Sequence, residues 1–256
     1  MRLFLISMIM TVIGCSSLTV EFDGLPPQGP DAQYLMLVVH GSGDTAESWP
    51  AQFISSIRQR LADPEQWDLV AYDWSRYAED KSRASQYGLA LGTQIGSLLA
   101  SERYSYRHIH FTGHSVGAFV VDAAAAAYRE EASKPAARIH LTLLDPFTGN
   151  GFIDWTYGKR NFGTSADFAD AYVNTDDPVP STNGTISNAH NFDVTQNSLK
   201  PPAEGSEAHW WPVEYYLLTI EDPKLSCGFQ LTLSVTGADN PVSHGDFPRG
   251  ATTALY

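Results

Sequence analysis

Cysteine is almost missing from this chain: Cys15 and Cys227 are the two among 256 residues. A fold stapled by several disulfides is therefore excluded, and no Cys-x-x-Cys pair is available to hold a metal. Basic charge is scarce as well. Sixteen Lys and Arg face 29 Asp and Glu, for a net charge of −13, which argues against nucleic acid as a partner. The sequence has no internal repeat and no low-complexity tract beyond the short run Ala123–Ala127. Its 20 glycines and 15 prolines are scattered, so no linker divides it. A G-x-G-x-x-G loop is absent too, and neither a metal nor a cofactor is expected. What remains is the composition of one globular domain with enough apolar residues for a full core.

Apolar runs are also short. The longest, Leu3 to Ile13, is interrupted only by Ser7 and Thr11 and follows Arg2. That length suits the core of a signal peptide and is too short to span a bilayer. It ends Val12-Ile13-Gly14-Cys15, which resembles the lipobox of bacterial lipoproteins. The resemblance implies a signal peptide over 1–14, cleavage before Cys15, and a chain lipid-anchored at Cys15 in a bacterial cell envelope. A plain secretory signal with another cleavage site is the alternative. Residues 15–33, with Pro26, Pro27 and Pro30, read as a tether, and 34–256 as the domain. With Cys15 lipidated, Cys227 has no partner and reads as a small buried apolar residue.

Tyr34–Val39 is a continuous apolar run, the pattern of a strand covered on both faces. A helix is expected around Ala51 to Leu61, a strand at Leu69 to Trp74, a helix over Ser85 to Ser101, and a strand before Gly113. An alanine-rich helix, a strand at Ile139–Leu144, a short strand at Ala171–Asn174 and a helix from Trp211 to Ile220 follow. Phe229–Val235 alternates apolar and polar residues and reads as a half-buried strand. Strands alternating with helices of this length indicate an α/β fold, a mostly parallel sheet with helices on both faces. Ligands gather at the carboxyl ends of such strands. His40, Ser115, Asp145 and Asp176/Asp177 all fall there.

Gly113-His114-Ser115-Val116-Gly117 is a G-x-S-x-G pentapeptide between a strand and a helix. A serine on that sharp turn stands proud of the backbone at a helix N-terminus, where free N–H groups and the helix dipole favour an oxyanion. A serine hydroxyl needs a base to take its proton and an acid to orient that base. Among eight histidines, His209 is the leading candidate, because it sits in a loop ahead of an aromatic-rich helix; His190 and His244 stay open. Asp145, at the end of the strand after the pentapeptide unit, is the first candidate acid, with Asp177 or Asp176 as alternatives. Backbone N–H groups of Val116 and Ser42 are the expected oxyanion donors.

With these residues in order, the chain resembles the α/β-hydrolases, and more narrowly their lipase/esterase-like members. Leu144-Asp145-Pro146 is similar to the acid-bearing stretch of pancreatic-type lipases, and Asp177-Pro178-Val179-Pro180 to that of fungal-type lipases. The cysteines that bracket the late loops of the pancreatic type are missing, as is its C-terminal lipid-binding domain. The resemblance implies hydrolysis of a small-molecule ester or lipid through an acyl-enzyme, without a cofactor. A non-catalytic binding lipoprotein on the same fold is the rival reading. Phe152, Trp155, Tyr157 and Phe162 make an aromatic insert within 150–165 that reads either as a lid or acyl-binding wall, or as a loop anchored on its own aromatics.

Overall fold

The computed structural model describes residues 18–133, 136–202, 205–222, 224–234 and 243–256. The signal peptide expected at 1–14 and Cys15, the expected lipidation site, lie outside the described residues. Among the described residues seven strands, β1 (Tyr34–Val39), β2 (Trp67–Tyr72), β3 (His108–His114), β4 (Arg138–Leu144), β5 (Phe168–Val173), β6 (His190–Asp193) and β7 (Thr252–Ala254), are interspersed with seven α-helices. The helices are α1 (Trp49–Arg60), α2 (Ser75–Ala78), α3 (Ala84–Ala100), α4 (Gly117–Glu131), α5 (Tyr157–Asn161), α6 (Trp211–Glu221) and α7 (Phe229–Leu233). The strands form one sheet in the order β2-β1-β3-β4-β5-β6-β7, and every neighbouring pair is parallel.

β1 shows why its apolar run has no polar side. Leu35, Leu37 and Val39 pack under α3 and α4, whereas Met36 and Val38 point to the opposite face, with α1, α6 and α7. Successive side chains of a strand alternate faces, so two helical layers demand apolar residues at every position. Each fully buried aliphatic side chain here contributes about 1.5–3 kcal/mol.

On the first face α3 and α4 lie in close contact because α3 carries glycine at every fourth position. A Cβ placed on Gly92 would come within 2.8 Å of the Ala123 Cβ, and one on Gly96 within 2.8 Å of the Ala127 Cβ. The alanine run of α4 is the counterpart of that glycine stripe. Backbones this close hold α4, and with it the residues at its start, firmly against the sheet.

Several expectations shift. The strand expected at Phe229–Val235, whose last residue lies outside the described residues, is replaced over its first five residues by a helix, α7 (Phe229–Leu233). Its start is held by polar contacts, with the Gly228 N–H donating to Tyr172 Oη and the Phe229 N–H to Thr219 Oγ1. The sheet edge beyond β6 is meanwhile occupied by β7. Five residues with apolar groups at 229, 231 and 233 satisfy either period, and the available surface decides. Residues 18–33, read as a tether, contain no strand or helix but lie on the body: Val20, Phe22 and Leu25 pack against the core, and Tyr104 Oη donates to the Pro26 carbonyl at 3.0 Å. Among the described residues no helix is long and apolar enough to cross a membrane.

Candidate active site

β3 runs directly into Ser115, and α4 begins two residues later. Ser115 has φ of 52°, one of three non-glycine residues with positive φ among those described; Asp145, at 42°, is another. Left-handed backbone costs an L-residue on the order of 1 kcal/mol, and such strain collects at functional positions. The turn is locked on both sides. The Ser115 N–H donates to the Leu144 carbonyl at 3.0 Å, and the Ser115 carbonyl accepts from the Phe147 N–H at 3.0 Å. Gly117 permits the tight crossing over β1: a Cβ there would meet the Val39 carbonyl oxygen at 2.8 Å.

Ser42, Asp44, Ser115, Val116, Phe147 and His209 line one cavity of about 410 Å³ at the carboxyl ends of the strands. Asp44 contributes a buried Oδ2 without a hydrogen-bond partner, and burial raises its pKa. Ser42 follows β1 and Val116 immediately precedes α4. Neither amide is paired with a protein acceptor among the described residues. A depression of about 250 Å³ at the amino ends of β1 and β2, lined by Leu25, Tyr104 and Tyr106, lies far from these groups.

His209 sits in the 3-10 turn Gly205–Trp210 that leads into α6. Its backbone is braced from three sides. Asn174 Nδ2 donates to the Ala208 carbonyl at 2.7 Å, His114 Nε2 donates to the His209 carbonyl at 3.2 Å, and Trp211 Nε1 donates to the Val194 carbonyl at 2.7 Å. The His114 ring also lies 4.7 Å from the His209 ring and 4.8 Å from that of Trp210.

The two candidate acids converge on the same atom. His209 Nδ1 is 2.9 Å from Asp145 Oδ2 and 2.8 Å from Asp177 Oδ2. Both aspartates are buried, at 0% and 2% exposure. Burial by itself would lower the pKa of His209, but the two carboxylates outweigh it and raise the value to about 9. Burial pushes Asp145 up to about 7 against the pull of His209. Asp177 is buried too, yet donors from His209, Thr182 Oγ1 and the Val179 N–H leave its pKa lowered. Asp176 is elsewhere: its carboxylate is exposed and lies 3.5 Å from Lys200 Nζ.

Ser115 and His209 share the cavity, but no hydrogen bond joins Ser115 Oγ to His209 among the described residues. Serine–base contacts are often loose before substrate binds. The other two candidate bases are occupied away from the cavity, which His114 also lines. His190 bonds the Pro248 carbonyl and Thr253, and His244 stacks on Phe168 at 4.0 Å. Cys227 is buried, and desolvation raises its pKa to about 11, unsuited to a thiolate nucleophile. Asn174 and Thr182 are not among the site residues expected from the sequence, although Asn174 falls at an expected strand end.

In the insert, Phe162 is fully buried against Phe119, while Phe152, Ile153 and Trp155 are 74%, 96% and 47% exposed. The loop is pinned beside the cavity by the Gly151 N–H donating to Ser85 Oγ and by Thr148 Oγ1 donating to the Trp155 carbonyl.

Residues 36–236, which carry most of this parallel sheet and Ser115, match the family model of the alpha/beta hydrolase family. The chain belongs to the alpha/beta hydrolase family. No curated protein matches it. Among solved structures, a protein from Xanthomonas campestris pv. campestris assigned to the alpha/beta hydrolase superfamily is similar at 13% identity, over 57% of this chain and 73% of that one, with a TM-score of 0.39. A gene product of Listeria innocua is 14% identical over 82% of this chain and 98% of its own, TM-score 0.45. RedJ, with a polyethylene glycol molecule bound in its active site, is 14% identical over 66% and 83%, TM-score 0.37. Identities this low and superpositions this loose fix no chemistry.

Proposed function

We propose that this alpha/beta hydrolase cleaves carboxylic esters through an acyl-enzyme formed on Ser115. The observation that carries the reading is His209, a lining residue of the cavity that Ser115 also lines, held through Nδ1 by two buried carboxylates so that Nε2 is left as its other nitrogen. In the reaction, Ser115 Oγ adds to the ester carbonyl carbon as its proton passes to His209 Nε2. The carbonyl π electrons move to oxygen, where the Ser42 and Val116 N–H groups are available as donors. Collapse of that intermediate breaks the bond to the alcohol, which leaves with the proton from Nε2. Water then repeats the sequence at the acyl carbon and returns Ser115.

The cavity accommodates a small ester or the reacting end of a lipid. Attachment to a cell-envelope membrane through Cys15 belongs to the same reading and rests on the sequence pattern at 12–15; loss of labelled fatty-acid incorporation in Cys15→Ala tests it. The catalytic reading is tested by covalent labelling with an alkyl phosphonate ester. Wild type is expected to take up one phosphonate per chain and Ser115→Ala none. Equal labelling of the two overturns the serine mechanism in favour of a non-catalytic binding protein.

A further inference from the structure

The expected site needs one acid, yet this chain brings two to a single imidazole nitrogen. They come from separate strand ends, Asp145 after β4 and Asp177 after β5, and both oxygens lie at N–H···O distances from His209 Nδ1. The two carboxylates are not equivalently surrounded. Asp177 accepts from His209, from the Val179 N–H at 2.9 Å and from Thr182 Oγ1. Asp145 accepts from His209 and, through Oδ1, from the Asn174 N–H at 3.1 Å. Every additional donor stabilises the charged form, and two buried like charges around one nitrogen do not both ionise freely.

We propose that Asp145 and Asp177 act as a pair on His209, Asp177 as the ionised partner of the imidazolium and Asp145 as a positioning residue that tightens the hold of His209 on its proton. The consequence is a strong base that is sparsely available in neutral solution. Free imidazole, the form that accepts the Ser115 proton, is populated as the medium becomes alkaline. The direction of each shift agrees, with His209 and Asp145 raised and Asp177 lowered. Other ionisable groups facing His209 do not account for this. His114, from β3, is a neutral buried ring whose own pKa burial lowers. From β1 and the loop after it come buried His40 and half-buried Asp44, which carries an unpaired oxygen. Asp176 and Lys200 pair with each other on the far side of Asn174, and Glu207 on the same turn is exposed.

The role of His209 as base belongs to the proposed hydrolase function, so the decisive measurement does not use turnover. Imidazole 15N signals of His209 are titrated in Ser115→Ala protein, alone and combined with Asp145→Asn or with Asp177→Asn. The expected midpoint is near 9 with both aspartates present, with proton affinity falling at least tenfold on loss of either. If Asp145→Asn leaves the midpoint unchanged, Asp177 serves alone and the pair is refuted; an unchanged midpoint in Asp177→Asn refutes it equally. In protein with both aspartates intact, 13C carboxyl signals are expected to show one of the pair titrating near 7 and the other remaining charged. Two carboxyls titrating together in the ordinary range overturn the proposal even if a variant fails to fold. Stoichiometric Zn2+ uptake abolished by Asp145→Asn overturns it too, since the three side chains would then be a metal site. In the active protein, the rise of kcat/KM with pH is expected to move to lower pH in Asp145→Asn. If phosphonate labelling fails while the His209 midpoint behaves as expected, the hydrolase reading falls and the carboxylate pair stands.

Discussion

Two sets of histidines, one of them the partly buried His209 alone, sit on the same face of this sheet and experience opposite pressures. His209, above the strand ends, meets two carboxylates at one nitrogen and is driven towards its charged form. Below it, His108 and His110 project from the first half of β3, and His140 from β4. There His110 and His140 are register partners whose rings stack at 3.9 Å and 2°. His108 and His110 have pKa values lowered well below the ordinary value, by burial first and by neighbouring imidazoles second. The lower set is served by hydroxyls and by Asp170: Thr142 links His110 to Asp170, and Thr232 from α7 reaches His110 Nδ1. Both nitrogens of His108 lack a hydrogen-bond partner among the described residues. Desolvation pushes His209, His108 and His110 the same way, and the two carboxylates at His209 reverse the sign there.

The largest effect separating the two sets is expected on activity. His209→Ala is predicted to lower kcat for a soluble ester by roughly 10⁴–10⁶-fold, whereas His108→Leu should leave kcat within a few-fold; comparable losses would abolish the distinction. Next in size is stability. Asp170→Ala strips an acceptor from His140, Thr142 and Tyr172, and urea unfolding is expected to show a loss of about 2–5 kcal/mol. The His209 midpoint should not move in that variant.

The two sets also have opposite linkage to pH. His108, His110 and His244 (lowered to about 4) have folded pKa values below the unfolded 6.5. The unfolded chain therefore binds more protons as pH falls through 6.5, and their contribution to stability is lost on acidification. His209, raised to about 9, contributes stability fully present below 6.5 and lost as pH rises through 9. Unfolding midpoints measured from pH 5 to 10 should fall at both ends. His108→Leu, which removes two unpartnered buried nitrogens, is expected to flatten the acid side and add about 1–2 kcal/mol at pH 5; an unchanged acid slope would count against the histidine set as its origin. The smallest effect is expected from Ile153→Ser. Its side chain is 96% exposed, so its urea midpoint should correspond to a change within about 0.5 kcal/mol.

Much of the fold was legible because burial on two faces leaves a one-dimensional signature. Tyr34–Val39 is apolar at every position, and the helix at 84–100 repeats its apolar residues at helical spacing. α7 was misread since five alternating residues satisfy a strand and a helical turn alike. β6 and β7 left weaker traces: β6 carries His190, Asn191 and Asp193 among its four residues, and β7 has three residues, two of them threonine. In the candidate site, Ser115 stood out by its flanking glycines and His209 by its aromatic setting. The choice between Asp145 and Asp177 was open in the sequence because both end a strand and both precede proline, a property of ordinary turns as well.

From the sequence by itself came the layered α/β architecture, the serine at a strand-to-helix turn, and a short set of strand-end residues able to serve it. These follow from local periodicity and chain order, which short-range sterics and burial impose on composition. Only the tertiary structure decided that Asp145 and Asp177 meet at one nitrogen, that Asp176 faces solvent beside Lys200, and that His110 stacks on His140. Those outcomes depend on strand register and on how loops from three strand ends pack together. Such distances arise between residues 24 to 64 positions apart, and no pattern along the chain encodes them.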